Sequence, residues 1–307
     1  MSHSATAMSV LLLPVLCLCN TLVGCLGYTI LPPGLGEMMA RALDANGAAR
    51  VFIVGRREEQ LKQTAATGKN GNIVPLVGDV TSKVSLADIA DQVTEHFDHL
   101  DVLICNSRSS GPRSQPPPKK DGSPATLAEI RDFCWNVPME EFEQAKMVNI
   151  TGVWYTCLAF LPLLGATNKL RPAPSTIPRS QIIATSSIGA YNRVPLGGFA
   201  YTASKAAVVH MMKSLSTLLG KFDIRCNVIA PGLYYSEMSA PAFQQWGIEN
   251  AHEEGKFDRN TIPATRSGHE EDIAGVILWL CSKASGYING NVVATDGGRL
   301  GVLPSAY

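Results

Sequence analysis

The chain has 307 residues, with 26 basic and 26 acidic side chains and 46% apolar residues. The zero net charge gives no electrostatic basis for binding nucleic acid or an anionic membrane, and the apolar share can fill the core of one large domain. The eight cysteines lack the paired spacings of a zinc site, so we expect neither a metal nor a disulfide framework. This composition favours a small-molecule partner.

Residues 8–31 are almost wholly apolar, and the first basic residue is Arg41, so the basic region of a secretory signal is missing. Three interpretations are a membrane anchor, a divergent first strand within residues 22–30, and a translation artefact such as a misplaced exon boundary. We favour the last two. We therefore expect a cytoplasmic protein with an atypical segment at residues 1–28 and one domain at residues 29–307. Membrane association through residues 8–31 is the open alternative.

Farther along, short apolar runs alternate with helical patterns. Strands are predicted at 50–55, 73–79 and 101–105, and helices at 36–46 and 84–96. This alternation predicts a single α/β domain of the Rossmann type, with a doubly wound parallel sheet and helices on both faces. Ligands of such sheets bind beyond the carboxyl ends of the strands.

The Pro-rich residues 107–139 interrupt the alternation. We predict a long loop there, which either folds over a substrate or is a tolerated surface insertion.

A phenol and an ammonium stand four residues apart in the stretch Tyr201-Thr-Ala-Ser-Lys205, which places both on one face of a predicted helix. A phenol titrates near pH ~10 unless a cation stabilises the phenolate, and Lys205 is such a cation. Upstream, a buried strand ends in Ser186-Ser187. Downstream, another ends in Pro231-Gly232.

This order of strand, serine loop, Tyr/Lys helix, strand and Pro-Gly turn resembles the short-chain dehydrogenase/reductase family. The stretches Phe160-Leu-Pro-Leu-Leu and His210-Met-Met are especially similar to its fungal members linked to secondary metabolism. The resemblance extends from about residue 34 to residue 298. It implies hydride transfer between NAD(P) and a carbonyl or alcohol. The catalytic residues it implies are Asn149, Ser187, Tyr201 and Lys205, with Ser187 preferred to Ser186.

The family's fingerprint for the cofactor diphosphate is Thr-Gly-x-x-x-Gly-x-Gly, and residues 29–36 read Thr-Ile-Leu-Pro-Pro-Gly-Leu-Gly. Gly34, Leu35 and Gly36 keep its end, but Ile30 replaces the first glycine. A β-branched residue tolerates a positive φ poorly, and two prolines remove N–H donors. We therefore expect weakened cofactor affinity.

The resemblance places cofactor contacts at four further strand ends and on the Tyr/Lys helix. After the second strand, Arg56 and Arg57 favour NADP(H) over NAD because a guanidinium suits the 2′-phosphate. The competing acids Glu58 and Glu59 are expected to begin the next helix. The remaining implied contacts are Asp79, Val80, Asn106, Tyr201, Lys205, Pro231, Gly232, Tyr234 and Ser236.

Arg108 departs from the pattern, because it stands where the family has the last glycine of Asn-Asn-Ala-Gly. The two alternatives are a bulky cation near the nicotinamide side of the site and a side chain that points to solvent. Residues 239–265 are expected to cover the substrate.

The resulting hypothesis is an NADP-dependent carbonyl reductase or alcohol dehydrogenase acting on a polyketide-, terpenoid- or fatty-acid-like compound. The alternative is a catalytically impaired homologue that acts as a binding or scaffold protein. The resemblance also implies a homodimer or homotetramer, with Trp154, Tyr155 and Phe160 packing a dimer interface.

Overall fold

A computed structural model describes residues 20–24, 34–114, 116, 119, 121–171, 178–195, 197–236 and 239–306. Within them the strands are β1 Asn20–Gly24, β2 Arg50–Gly55, β3 Ile73–Val77, β4 Val102–Cys105, β5 Gln181–Thr185, β6 Arg225–Pro231 and β7 Val292–Thr295. The α-helices are α1 Leu35–Ala45, α2 Glu58–Ala66, α3 Lys83–His96, α4 Leu127–Trp135, α5 Met139–Lys146, α6 Val153–Leu170, α7 Phe199–Leu219, α8 Ala240–Gln245 and α9 Glu270–Cys281.

All seven strands form one parallel sheet in the order β3-β2-β1-β4-β5-β6-β7. Strands β2, β4, β5 and β6 are short runs of mainly buried residues, as expected of a sheet covered on both faces. The chain runs from β1 through β2 to β3 at one edge of the sheet and then crosses to the other side of β1, where it forms β4. The predicted doubly wound α/β fold is therefore confirmed.

Strand β1 is the third of the seven strands across the sheet, where Leu22 pairs in register with Phe52 of β2 and Leu103 of β4. It begins two residues before the range predicted for a divergent first strand and shares residues 22–24 with it. Residues 1–19 and 25–33 lie outside the described part, so the boundary between residues 1–28 and 29–307 stays a prediction.

The core has two parts, one on each face of the sheet. On one face Phe52, Leu103 and Met212 pack with helices α3, α6 and α7. On the other face Met39 and Ile277 belong to the cluster formed with α1 and α9. Burial of each such side chain stabilises the fold by about 1.5–3 kcal/mol. The packing on both faces therefore holds the strands, and with them the strand ends that carry the site, in place.

The apolar stretch Met139–Leu170 is the one described helical stretch long and apolar enough to cross a membrane. Its residues Phe160 and Leu164 are buried against the sheet, which makes α6 a core helix. The expectation that Phe160 packs a dimer interface is therefore wrong, because its ring is 1% exposed inside one chain.

The prediction of a loop throughout residues 107–139 is also wrong. Helix α4 forms within it and begins with a capping box, in which Thr126 and Glu129 satisfy each other's backbone N–H groups. None of the side chains of α4 is buried. The capping box therefore marks the start of this helix, and the Pro-rich composition hid that signal.

Candidate active site

Helix α7 holds Tyr201 and Lys205 one turn apart. Its start is fixed by the segment of residues 107–114: the Phe199 N–H donates to Ser114 Oγ at 2.6 Å. The preceding Gly198 has φ of 84°, and a Cβ there would overlap the Pro112 carbonyl oxygen. Only glycine suits this close approach.

Lys205 is 1% exposed, and its Nζ donates to the Thr185 carbonyl oxygen at 2.8 Å. The same Nζ lies 5.7 Å from the centroid of the partly exposed Tyr201 ring. The predicted pair is thus brought together at the end of β5, with the ammonium beneath the phenol.

The two serines after β5 point in different directions. Ser186 Oγ donates to the Lys205 carbonyl oxygen at 2.8 Å and is buried. Ser187 Oγ accepts from the Gly189 N–H at 3.0 Å. A Cβ on Gly189 would lie 3.3 Å from Ser187 Oγ and 3.5 Å from Tyr201 Cε1, so these two groups border the same small space. This geometry supports the choice of Ser187 over Ser186.

Asn149 lies in a π-helical turn, Met147–Gly152, and is completely buried. Its Oδ1 accepts from the Ser109 N–H at 2.7 Å. Its Nδ2 donates at 2.9 Å to both the Ser109 carbonyl oxygen and Ser204 Oγ. These three bonds use both amide protons, so this side chain ties the segment after β4 to helix α7. π-Turns often occur at functional sites.

The ammonium of Lys205 is electrostatically unusual. Burial, reinforced by the nearby Arg108 guanidinium, lowers the pKa of Lys205 from its ordinary value to about 7. Both causes disfavour the charged form. The site therefore holds a lysine that gains and loses its proton near neutral pH.

The start of α1 is where the sequence predicts a dinucleotide diphosphate. Gly34 is the N-cap residue, and the N–H groups of Glu37 and Met38 bond to its carbonyl oxygen. A Cβ on Gly34 would meet no atom of the described residues within 4 Å at this positive helix end. These residues fit the group. Residues 29–33, with the altered fingerprint, lie outside the described part of the chain.

At the end of β2, Arg56 is exposed and Arg57 is the N-cap residue of α2. Glu58 and Glu59 begin that helix and pair with Lys62, which confirms their expected place. The arginines thus stand between the strand end and the helix, where a 2′-phosphate would need them.

The turn after β3 is held by its own side chains. The Asp79 carboxylate accepts from the N–H and hydroxyl of Thr81 at 2.9 and 2.7 Å. Val80 is buried, and a Cβ on Gly152 would lie 3.2 Å from it. Farther across the sheet, Asn106 is buried directly after β4.

The Pro231-Gly232 turn closes β6 against β7. A Cβ on Gly232 would lie 2.7 Å from Asp296 Cα, so only glycine fits. Tyr234 is buried, and its hydroxyl pairs with Thr295 Oγ1. Burial raises the pKa of Tyr234 to about 12. The phenol of Tyr234 is thus held in the core by its bond to Thr295. A cofactor contact of this residue would therefore be made by its main chain.

Ser236 is buried as well, and its Oγ lies 3.3 Å from Ser239 Oγ. Farther on, Phe243 and Phe257 pack edge to face in a small core of their own. These rings hold residues 239–265 together, and the expected cover over the substrate stays a prediction.

Comparison with known proteins agrees with this geometry. The family model described as enoyl-(acyl carrier protein) reductase matches residues 31–117 and 123–299. The short-chain dehydrogenase/reductase PhomF of Diaporthe leptostromiformis is 43% identical over 275 residues, which cover 89% of this chain and 90% of that protein. The chain is a short-chain dehydrogenase/reductase.

Two further members of the family are similar to this short-chain dehydrogenase/reductase. The short-chain dehydrogenase/reductase SAT3 of Stachybotrys chartarum is 40% identical, with coverage of 88% of this chain and 100% of that one. The RhlG/NADP active-site complex of Pseudomonas aeruginosa is 26% identical, with a TM-score of 0.70 and coverage of 91% and 95%. The expected family and the expected similarity to fungal members are confirmed.

Sequence analysis missed several residues that build this site of the short-chain dehydrogenase/reductase. Ser204 Oγ accepts from Asn149 and donates to the Tyr201 carbonyl oxygen at 2.7 Å. Ser109 pairs with Asn149 through its main chain, so no sequence pattern could reveal it. Among the described residues, no group of three or more His, Cys, Asp or Glu is placed to hold a metal.

Proposed function

We propose that this chain is an NADP-dependent carbonyl reductase or alcohol dehydrogenase with Asn149, Ser187, Tyr201 and Lys205 as its catalytic set. The observation that carries the proposal is the placement of Tyr201 above the Lys205 ammonium, with Ser187 bordering the same space. The family membership supports an oxidoreductase.

The reaction requires one proton donor and one oxygen-binding group. When bound, NADPH supplies the hydride. Tyr201 donates its phenolic proton to the substrate oxygen as negative charge develops there, and Ser187 donates a hydrogen bond to the same oxygen. Protonated Lys205 stabilises the phenolate that remains. Asn149 holds the segment after β4 against α7 and so keeps Tyr201 in place.

The choice of NADP rests on Arg56 and Arg57 after β2, and it is supported by the NADP complex among the similar structures. The remaining proposed cofactor contacts keep the positions described above. They are Gly34, Leu35, Gly36, Asp79, Val80, Asn106, Pro231, Gly232, Tyr234 and Ser236.

The proposed substrate is a small carbonyl or alcohol of the polyketide, terpenoid or fatty-acid type. One supporting relative, 28% identical over 266 residues, is the rhamnolipids biosynthesis 3-oxoacyl-[acyl-carrier-protein] reductase of Pseudomonas aeruginosa. We further propose a cytoplasmic homodimer or homotetramer.

The second candidate function is that of a binding or scaffold protein that has lost tight dinucleotide binding. The sequence of residues 29–33 favours it, because Ile30 and two prolines replace the ordinary fingerprint. Fluorescence titration of the full-length chain with NADPH and NADH distinguishes the two functions. The enzyme should bind NADPH with a dissociation constant of roughly 0.1 mM or less. An absence of binding at about 1 mM cofactor favours the scaffold.

A further inference from the structure

Arg299 is a buried arginine at the carboxyl edge of the sheet. It follows β7 and the turn Asp296-Gly297-Gly298, and its side chain is only 8% exposed. Among the described residues, its guanidinium finds no hydrogen-bond or salt-bridge partner, and its Nε is fully enclosed without an acceptor. A buried charge without a partner is strongly disfavoured in a protein interior. An anion bound to Arg299 would supply the missing partner.

The neighbouring carboxylate of Asp296 does not fill this role. Its Oδ1 accepts from the Gly298 N–H at 3.0 Å, and its Oδ2 accepts from the Leu300 N–H at 2.7 Å. Both oxygens are thus used by the backbone of the turn. Burial lowers the pKa of Arg299, and the negative charge of Asp296 offsets only part of this effect. The guanidinium therefore keeps unused capacity for an anion.

The turn before Arg299 packs on apolar side chains. A Cβ on Gly297 would lie 3.0 Å from Ile262 Cγ2, and a Cβ on Gly298 would lie 3.2 Å from Pro263 Cγ. Both glycines have positive φ, which permits this close approach. An anion at Arg299 would accordingly have apolar groups nearby.

The segment after Arg299 is bonded to the loop that follows Ser187. The Arg193 N–H donates to the Pro304 carbonyl oxygen, and the Ala306 N–H donates to the Tyr191 carbonyl oxygen, each at 2.8 Å. Residues 296–306 therefore connect residues 262–266 with the loop between Ser187 and helix α7.

The guanidinium chemistry indicates which anion fits. The two terminal nitrogens of Arg299, unlike its Nε, are not among the fully enclosed atoms, so a ligand can reach them. Their planar, forked donors match the two oxygens of a carboxylate. A carboxylate carries one charge and so costs less to desolvate beside apolar groups and Asp296 than a doubly charged phosphate. These features favour a carboxylate attached to an apolar molecule.

We propose that Arg299 is a binding site for the carboxylate of a small apolar molecule. The site lies where residues 262–266, residues 296–306 and the loop after Ser187 meet. It does not depend on the proposed reductase function, because it follows from the unpartnered guanidinium alone.

The test measures binding to the full-length protein by calorimetry, in buffer free of carboxylate and phosphate. Sodium hexanoate and hexan-1-ol share one apolar chain and differ in charge. The wild type should bind hexanoate about tenfold more tightly than the alcohol. Arg299→Met should bind both equally, and it should melt at or above the wild-type temperature because an unpaired buried charge is removed. Arg299→Lys keeps the charge without the fork and should retain roughly a threefold preference.

The matched control is Arg193→Met. It removes an exposed guanidinium beside the same segment, while the main-chain bond of residue 193 to Pro304 remains possible. This variant should keep the full preference for hexanoate.

Several results overturn the proposal. They are no binding of hexanoate by the wild type at about 20 mM, a preserved preference in Arg299→Met, and a lost preference in Arg193→Met. A lower melting temperature of Arg299→Met together with lost binding assigns the residue a structural role.

Two further results assign Arg299 to another anion. Tighter Arg299-dependent binding of inorganic phosphate than of hexanoate would make this a phosphate site. A changed oligomeric state of Arg299→Met in sedimentation, without a hexanoate preference in the wild type, would place a second copy of the chain there. An Arg299-dependent preference in a protein that binds no NADPH would uphold the carboxylate site and refute the proposed function alone.

Discussion

The half of the sheet that carries the proton-transfer groups differs from the half that receives the cofactor. Around β5, α7 and β6, Ser187, Tyr201 and Lys205 match the family and are joined by short hydrogen bonds to their surroundings. Around β1 and α1, the first fingerprint glycine is replaced by Ile30, although Gly34 still caps the helix. The two halves of one site have thus diverged to different degrees, and cofactor affinity is where the difference should be measurable.

The largest effect on turnover is expected in the half of the sheet that carries the proton-transfer groups. Tyr201→Phe removes the only proposed proton donor, so turnover should fall by about 10³-fold or more. NADPH affinity and the melting temperature should stay near those of the wild type. Tyr287→Phe, which alters a fully exposed tyrosine, is the control and should be fully active. Near-normal turnover by Tyr201→Phe would refute the assignment.

The second effect concerns Lys205 in the cofactor-free protein. Because its folded pKa of about 7 is below the ordinary 10.5, the unfolded chain binds more protons between these values. The contribution of Lys205 to stability therefore rises with pH across this window and is lost as pH falls through 7.

The slope is at most one proton, or about 1.4 kcal/mol per pH unit. Urea unfolding at several pH values between 7 and 10 should show it in the wild type. Lys205→Met keeps a long apolar stem and should remove it. Parallel pH curves for the two proteins would contradict a lowered Lys205 pKa.

The third effect tests the cofactor half directly. Ile30→Gly restores the first fingerprint glycine, and because glycine accepts the positive φ that a β-branched residue tolerates poorly, NADPH binding should tighten about tenfold. Ile30→Val keeps the β-branch and should leave the affinity unchanged. Fluorescence titration measures both. An Ile30→Gly variant with wild-type affinity would show that residue 30 does not limit cofactor binding.

The smallest effect concerns cofactor choice. Arg56→Gln and Arg57→Gln should each weaken NADPH binding by roughly fivefold while NADH binding stays unchanged, because only NADPH carries the 2′-phosphate. The ratio of the two dissociation constants is the measurement. Equal losses for both cofactors would assign the arginines to another role.

Sequence reasoning predicted the sheet well because buried strands and turn residues are local signals, as at Gln181–Thr185 and Pro231-Gly232. It failed where the result depends on tertiary packing or on one short signal. Phe160 faces the core because of how α6 lies on the sheet, and α4 depends on the Thr126 capping box. The Tyr234 side chain turns inward because Thr295 and Gly268 receive it, which no local pattern records.

The interior position of β1 also affects how the chain is made. Of the described strands, β1 emerges first during synthesis, and its neighbour β4 emerges only after β2 and β3. Until then one edge of β1 exposes unpaired N–H and C=O groups to other nascent chains. Slower synthesis at low temperature, or added chaperones, should therefore raise the yield of folded protein.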